Sequence, residues 1–305
     1  MSNLTPHRHE ADLFTADLAA AGIKELTDHL EFPIFGLQPQ PRRGIRRLEF
    51  PDPRDPGAPP DYIELHPGAA GLPTIQDQDL LIYCCSKAMS EVNAGRPAPE
   101  EIRMSTAELL RFANRTLGGH QYAAIEASIY RLTTLTLKTN IRGEDAVYTE
   151  LFGVVDHASM VRGTSPRRRS GALLGCSITL SKWIRAAIEA RKILTLHDNY
   201  FRVRRPLDRA VYQLIRKHCG EQRDWTVGVD RLQAKIGSAD RPSSFRHTLK
   251  RFAGRWEGED FLDYSVRIVG DRLVAGYAGR GYRNPAPPPP GGPTSTRRTA
   301  VSPAR

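Results

Sequence analysis

The chain has 305 residues, 40% of them hydrophobic and 26% charged, a composition that excludes a disordered protein and suffices for two domains with cores of their own. Lys and Arg outnumber Asp and Glu by 44 to 34, and the formal net charge of +10 at pH 7 favours a nucleic acid or an acidic membrane surface as partner. No apolar run approaches the roughly 18 residues of a membrane span and no apolar signal core follows the first Met, so we expect a cytoplasmic protein, neither exported nor membrane-embedded.

The N-terminal part of the chain carries weak signals, followed by two short strands. Residues 9–24 predict either a short amphipathic helix or a loose arm, and we treat residues 1–27 as an N-terminal arm that is partly helical or disordered. Residues 46–50 and 62–65 alternate between polar and apolar side chains as strands do, and the proline-rich residues 51–60 join them.

A long buried helix comes next. Thr74 is typical of a helix cap, and Asp77 stands three positions after it. The apolar run over residues 80–89 predicts a helix that is buried on most sides and ends near Asn93. Acidic side chains in a first helical turn complement the helix dipole, which accounts for Asp77 and Asp79. A metal-binding carboxylate pair, as in a primase, is the alternative interpretation.

Two helices and a hairpin follow. The capping signature from Ser105 to Glu108 opens a helix over residues 107–114, and two glycines at 118 and 119 separate it from the next one. That second helix has an apolar stripe at spacings of three and four residues: Tyr122, Ile125, Ile129 and Leu132. β-Branched residues over 133–141 and 147–155, around a polar turn, predict the hairpin.

The outer face of this second helix is unlike that of a phosphate-binding helix. Its side chains are small or weakly basic: His120, Ala123, Ala127, Tyr130 and Arg131. Small residues let another protein surface approach closely, whereas phosphate contacts need Lys and Arg. We therefore expect protein contact here, with a homodimer formed around Ala123 and Ala127. Three cations of the region are secondary candidates for DNA contact: Arg131, Lys138 and Arg142.

Residues 161–170 predict a mobile basic loop, and residues 172–180 a strand. Ser181 is then typical of a cap for a helix that runs through Ile188.

The most informative segment lies between residues 227 and 277. Residues 227–236 predict a short helix, and after a polar break Pro242 suits the first position of the next, because its missing N–H is not needed there. This helix has an apolar stripe at spacings of four, three and four residues: Phe245, Leu249, Phe252 and Trp256. Residues 261–268 and 272–277 predict the strands of a hairpin.

Helix, helix and two-stranded wing thus occur twice, which is the order of the winged helix-turn-helix, whose second helix suits the major groove of DNA. The predicted fold class is α+β, with tandem winged-helix domains at residues 28–200 and 201–283. We expect the second to be the main DNA-binding domain, because it has 18 Lys and Arg against 10 Asp and Glu. The proline-rich basic tail, residues 284–305, is expected to be disordered.

The candidate DNA contacts lie on the outer face of the second helix of this domain and on its wing. Arg246 and Lys250 are the best candidates for contact with bases, since an Arg fork matches guanine O6 and N7. Short hydroxyls and N–H groups at a helix start suit phosphate, which adds three residues: Arg241, Ser243 and Ser244. The remaining candidates lie on the same helix and on the wing: His247, Arg251, Arg255, Arg267 and Arg272.

Four segments resemble the replication initiator protein A family of bacterial plasmids: residues 72–83 (LPTIQDQDLLIY), 129–141 (IYRLTTLTLKTNI), 194–207 (LTLHDNYFRVRRPL) and 208–220 (DRAVYQLIRKHCG). The resemblance implies a theta-type plasmid initiator, which binds repeated sites at the plasmid origin and helps to open a neighbouring AT-rich segment. It also implies recruitment of the host replication initiator and replicative helicase, dimer formation and repression of the initiator's own promoter. It implies no catalytic residues.

Other activities lack the residues that they need. Initiators that nick DNA use a His-hydrophobic-His metal motif, and here His7 and His9 enclose a charged Arg8 instead. The four cysteines have no metal-ligand spacing, so we expect reduced core residues and no zinc site. No GxxxxGK[ST] loop for nucleotide phosphates occurs. We therefore expect neither an enzyme nor a bound cofactor or metal.

A winged-helix transcriptional repressor without initiator activity is the alternative, and a DNA-bridging or partition protein is a third class. All of these can share the fold, so the surrounding DNA discriminates between them. An initiator should be encoded beside clustered direct repeats and an AT-rich stretch, whereas a repressor needs only an inverted repeat at a promoter.

Overall fold

The computed structural model describes residues 23–26, 33–50, 57, 59–142, 147–164 and 171–279. The side chains of residues 23–26, 50, 141, 142, 147 and 148 lie outside this description. So do most of the predicted arm, residues 165–170 of the predicted basic loop, and the whole predicted tail.

The described chain mixes helices with antiparallel sheets. The elements up to residue 189 are β1 (Ile23–Leu26), β2 (Arg46–Phe50), β3 (Asp61–His66), α1 (Gln78–Asn93), β4 (Glu101–Ser105), α2 (Thr106–Phe112), α3 (Gly119–Thr133), β5 (Thr136–Arg142), β6 (Val147–Gly153), β7 (Val155–Arg162), β8 (Leu173–Leu180) and α4 (Lys182–Glu189). The later elements are β9 (Ile193–Leu196), α5 (Pro206–His218), β10 (Trp225–Gly228), α6 (Val229–Ile236), α7 (Pro242–Arg255), β11 (Tyr264–Val269) and β12 (Arg272–Tyr277).

Four sheets connect these strands among the described residues. Their orders are β2-β3-β5-β6, β4-β8-β7, β10-β12-β11 and the pair β1-β9. Every pairing is antiparallel. Residues 23–26, predicted to be part of the arm, are therefore a strand that pairs with residues 193–196.

Helix α1 begins later than predicted. Thr74 does not cap it directly, because both its N–H and its hydroxyl donate to Asp77 Oδ2, at 2.6 and 3.0 Å, within a turn that precedes the helix. The helix starts after Asp77 and ends at Asn93, as expected from the sequence. The capping box of α2 is confirmed: the Glu108 N–H donates to Ser105 Oγ, and the Ser105 N–H donates to the Glu108 carboxylate.

Five strands were missing from the sequence prediction: β1, β4, β7, β9 and β10. Residues 225–228 form β10, an additional strand beside the β11–β12 hairpin, so Val227 and Gly228 belong to a strand rather than to the start of α6. Residues 155–162 form β7, which pairs with β8 where the sequence indicated the beginning of a loop. The predicted hairpins are confirmed, one joining β5 to β6 and the other β11 to β12.

Two hydrophobic cores divide the described elements. The first lies within β2 to α4, here called the first unit, and includes the fully buried Leu65, Leu132 and Ile184. The second lies mainly within α5 to β12, here called the second unit. Ile82 of α1 is buried in the second core, so α1, which belongs to the first unit, also packs against the second unit. The predicted domain limit between residues 200 and 201 stays a prediction.

The junction between the units contains a buried charge cluster. Asp79 of α1 accepts hydrogen bonds from Arg209 of α5 at 2.7 Å and from Arg115 at 2.5 Å. Asp79 is 4% exposed and Arg209 3%. Burial raises the pKa of the Asp79 carboxyl, and the two guanidinium groups oppose that effect. Arg204 adds a hydrogen bond across the junction to the Asn114 carbonyl, at 2.7 Å.

Candidate nucleic-acid interface

Helix α7 is fixed to the second unit by its apolar side. Phe245, Leu249 and Phe252 are completely buried, and Trp256 is half-buried against the ring of Phe261. Pro242 occupies the first position of the helix, as predicted. The predicted stripe therefore anchors α7 in the core, and the side chains between the anchors face outward.

The outward side of α7 is polar, basic and open. The candidates that the structure leaves exposed on or just before this helix are Arg241, Ser243, Ser244, His247, Lys250 and Arg251. Ser243, His247 and Lys250 follow one another at helical spacing, so they share one face. From Ser243 to Gly254 this face extends over about 16 Å. Such a surface can offer hydroxyl and cationic donors to a polyanion.

Gly254 ends this face without a side chain. A Cβ at Gly254 would meet no other atom within 4 Å, so the fold itself does not require glycine there. We expect Gly254→Ala to raise the free energy of unfolding by about 0.5–1 kcal/mol, because alanine loses less backbone entropy in a helix. Urea denaturation measures this.

Gly258→Ala is the matched control. Gly258 also has open space around it but has a φ of +80°, where a side chain is strained. Alanine there should destabilise the protein by about 1 kcal/mol. If Gly254→Ala lowered stability as much as Gly258→Ala, the inference that the fold does not require glycine at position 254 would be wrong.

The wing adds two exposed cations. Arg267 lies on β11 and Arg272 at the start of β12, and both are exposed. The Arg267 side chain is 59% exposed, and its ion pair with Asp224 is loose, at 3.8 Å. Both guanidinium groups are therefore available to an anionic partner that contacts α7 and the wing together.

Arg246 lies at the edge of the outward face, with its side chain 38% exposed and its guanidinium turned towards two carboxylates. Its Nε donates to Asp271 Oδ1 at 2.8 Å, and its Nη2 donates to Asp271 Oδ2 at 3.1 Å and to Asp230 Oδ1 at 2.9 Å. The guanidinium holds the pKa of Asp271 below its ordinary value. The residue predicted to contact bases thus lies on the flank of α7, between α6 and the wing.

Arg255, predicted to contact the DNA backbone, is instead bound within the protein. Its Nη2 donates to both oxygens of Asp208, at 2.6 and 2.7 Å, and so ties the end of α7 to the start of α5. Burial raises the pKa of Asp208, and Arg255 opposes the shift. A cation held by a buried carboxylate would have to break this pair before it reached a phosphate.

The secondary candidates of the first unit are also engaged. Arg131, predicted as an outward cation, donates from Nε and Nη2 to Asp77 at 2.8 and 2.6 Å, and its side chain is only 13% exposed. Lys138 pairs with Glu64 at 3.2 Å. Hydrogen bonds from His66, Arg47 and Lys138 lower the pKa of Glu64 to about 2. The Arg142 side chain lies outside the described residues.

Two exposed arginines near the start of α5 were not among the predicted contacts. Arg202 and Arg205 stand just before α5, whose first turn is tied to α7 through Asp208. The run from Arg202 to Arg205, with three arginines in four positions, was the sequence signal that could have identified them.

The described residues contain neither a metal-ligand cluster nor a helix able to span a membrane. No group of three or more His, Cys, Asp or Glu side chains there is arranged to hold a metal ion. No described helix combines the length and apolar character that crossing a membrane demands.

Known proteins similar to this chain include a sequence relative and two crystal structures. A "Putative replication protein" of Wigglesworthia glossinidia brevipalpis is 28% identical over 240 residues, which cover 78% of this chain and 82% of that protein. The fold is similar to that of domains 2 and 3 of RctB, with a TM-score of 0.62 at 12% identity over 82% of this chain and 97% of the RctB chain. A second crystal structure of RctB domains 2–3 gives a TM-score of 0.56, also at 12% identity, over 82% and 96%.

The family itself is defined by a match over most of the sequence. The family model for replication initiator protein A matches residues 24–261, a span that contains the first unit, helices α5 to α7 of the second unit and the four segments of the resemblance, whereas β11 and β12 lie beyond it. The chain belongs to the replication initiator protein A family.

Proposed function

We propose that this protein initiates plasmid replication by binding repeated duplex sites at the plasmid origin through α7 and the β11–β12 wing. The observation that carries the proposal is the exposed cationic face of α7, held outward by three buried anchors beside a wing with two exposed arginines. A rigid helix with such a face suits the major groove, and a basic wing suits the adjacent phosphates. Family membership supports the same role.

The proposal includes a tandem winged-helix architecture. In the first unit α2 and α3 precede the β5–β6 hairpin, and in the second unit α6 and α7 precede the β11–β12 hairpin. The division into domains 28–200 and 201–283 is part of the same proposal. The second unit is then the main DNA-binding domain, and the first supports it.

Base contact and phosphate contact are assigned to different residues. Lys250 and His247, in the middle of the outward face, would donate to base edges. Cations and hydroxyls around them would contact the backbone: Arg241, Ser243, Ser244, Arg251, Arg267, Arg272, Arg202 and Arg205. Arg255 and Arg246 are left out, because both hold carboxylates of the protein.

Two substitutions separate these roles. Lys250→Ala should lower discrimination between the preferred duplex and a scrambled one by about 1–3 kcal/mol. Arg267→Ala should instead weaken binding to both duplexes alike and reduce the slope of log affinity against log salt by about one. Fluorescence anisotropy over a salt series measures both, with a duplex that the wild-type protein enriches from a randomised pool.

Arg103→Ala is the control for these measurements. Arg103 is 70% exposed but lies on β4 of the first unit, where it pairs with Glu101. Its removal should leave discrimination unchanged. A Lys250→Ala protein that retains full discrimination would contradict the assignment of Lys250 to the bases.

Initiation itself requires a test in cells. The proposed protein opens AT-rich DNA next to its binding sites, recruits the host replication initiator and replicative helicase in the cytoplasm, and represses its own promoter. The gene with its flanking DNA should then maintain a plasmid that cannot otherwise replicate. Loss of that plasmid in a suitable host, with the protein folded and bound to DNA, would favour the transcriptional repressor.

Self-association is the remaining part of the proposal. Ala123 is exposed on α3 and Tyr130, on the same helix, is 49% exposed. A homodimer formed through this helix would place two DNA-binding units on one operator. The proposed activity is binding and deformation of DNA, without catalytic residues or a cofactor.

A further inference from the structure

One side chain joins three elements of the second unit. Arg246 of α7 binds Asp230 of α6 and Asp271 of the turn between β11 and β12. These three residues are here called the wing clasp. The backbone adds a fourth contact at the same place, because the Val229 N–H donates to the Asp271 carbonyl at 3.0 Å. The turn of the wing is therefore attached to both helices through Asp271.

We propose that Arg246 is a positioning residue that sets the angle of the wing against α7, and that Asp271 is its essential partner. This inference rests on the proposed function. It gives the carboxylates of Asp230 and Asp271 a role in specific DNA binding. Through the wing clasp, Arg267 and Arg272 keep a fixed distance from Lys250, so helix and wing meet one DNA site in a single geometry. Because the wing is already held in place in the free protein, less conformational entropy is lost on association, and binding is stronger.

The charge of the wing clasp argues against direct contact between Arg246 and DNA. One guanidinium faces two carboxylates, so the three side chains of the wing clasp together carry a net negative charge, and Lys250 is a further cation close enough to lower the pKa of Asp271. A phosphate near Arg246 would be repelled by the second carboxylate. Asp271 also occupies the Nε–Nη2 edge of Arg246 with two hydrogen bonds, and this edge is a fork that guanine would otherwise use.

The two interpretations predict opposite signs for one substitution. If Arg246 contacted DNA, Asp271→Ala would release it and remove a negative charge, and binding would become tighter. If Arg246 positions the wing, Asp271→Ala should weaken binding to the preferred duplex about three- to tenfold, in spite of the lost negative charge. Arg246→Ala should weaken binding by a similar factor, and the double variant should be no weaker than either single one.

Asp224→Ala is the matched control. Asp224 is another exposed carboxylate next to the wing, 75% exposed and 3.8 Å from Arg267, and it has no contact with Arg246. Its removal takes away the same charge but leaves the wing clasp intact. The Asp224→Ala protein should bind as tightly as the wild type or more tightly.

Anisotropy with the full chain and the duplex enriched from a randomised pool gives the affinities. Hydrogen exchange of the free protein gives an independent readout: the amides around the β11–β12 turn should exchange faster in Asp271→Ala and Arg246→Ala than in the wild type, and not in Asp224→Ala. Tighter binding by Asp271→Ala, or additive losses in the double variant, would overturn the inference. If the wild type bound no duplex, or if Lys250→Ala and Arg267→Ala had no effect, the proposed function would fail instead.

Discussion

Asp79→Asn is expected to lower the free energy of unfolding by about 3–5 kcal/mol, the range for removing one partner of a buried ion pair. The neutral amide would leave the guanidinium of Arg209 buried without its countercharge. Arg209 is 3% exposed, and its Nε already donates to the Val203 carbonyl, so it cannot turn to water without breaking another contact. Urea denaturation followed by circular dichroism measures the loss.

A double variant tests the cause. Asp79→Leu with Arg209→Met removes the two most buried charges of the cluster and leaves Arg115, whose side chain is 11% exposed and also donates to the Gln76 carbonyl. This variant should restore much of the lost stability. Glu101→Gln serves as the surface control, because its pair with Arg103 is exposed, and it should leave the denaturation midpoint unchanged. A double variant as unstable as Asp79→Asn would show that the unpaired charge is not the reason.

Phe252→Ala is expected to destabilise the second unit by about 3–5 kcal/mol through lost burial and the cavity that remains. The Phe252 ring is fully buried and meets the edge of Phe261, with ring centroids 5.0 Å apart. Phe261 in turn contacts Trp256, at 4.8 Å. The anchored side of α7 would thus lose its central contact. Urea denaturation followed by tryptophan fluorescence reports the change.

His247→Ala is the control on the same helix. His247 lies on the outward face, so its removal should leave stability nearly unchanged. A loss below about 1 kcal/mol for Phe252→Ala would contradict the close packing of this cluster.

The anchored helix could be predicted from sequence because its determinants are local. The stripe from Phe245 to Trp256 and the proline at the start of the helix depend on residues a few positions apart. The same holds for the capping box at Ser105 of α2. Strand β10 could not be predicted in this way. Its four residues are a strand only because β12, almost fifty residues later, provides the hydrogen-bonding partner.

The site was predicted less completely than the fold that presents it. Helical projection placed Arg246 among the outward residues, yet its position is decided by Asp271, 25 residues away on a turn. Arg255 and Arg131 are likewise held by Asp208 and Asp77 from other elements. A sequence pattern tells which cations can face solvent, and only the tertiary structure tells which of them already have a carboxylate.

Helix α5 carries two adjacent residues with opposite charges that bind in opposite directions: Asp208 holds Arg255 of α7, and Arg209 holds Asp79 of α1. Exchange of modules between relatives is constrained by this arrangement. A chimera whose incoming second unit carried an arginine at position 209 would need a carboxylate at position 79 to pair with it, whereas both members of the Asp208–Arg255 pair lie within the second unit. In such a chimera, residue 79 should therefore come from the same parent protein as the second unit.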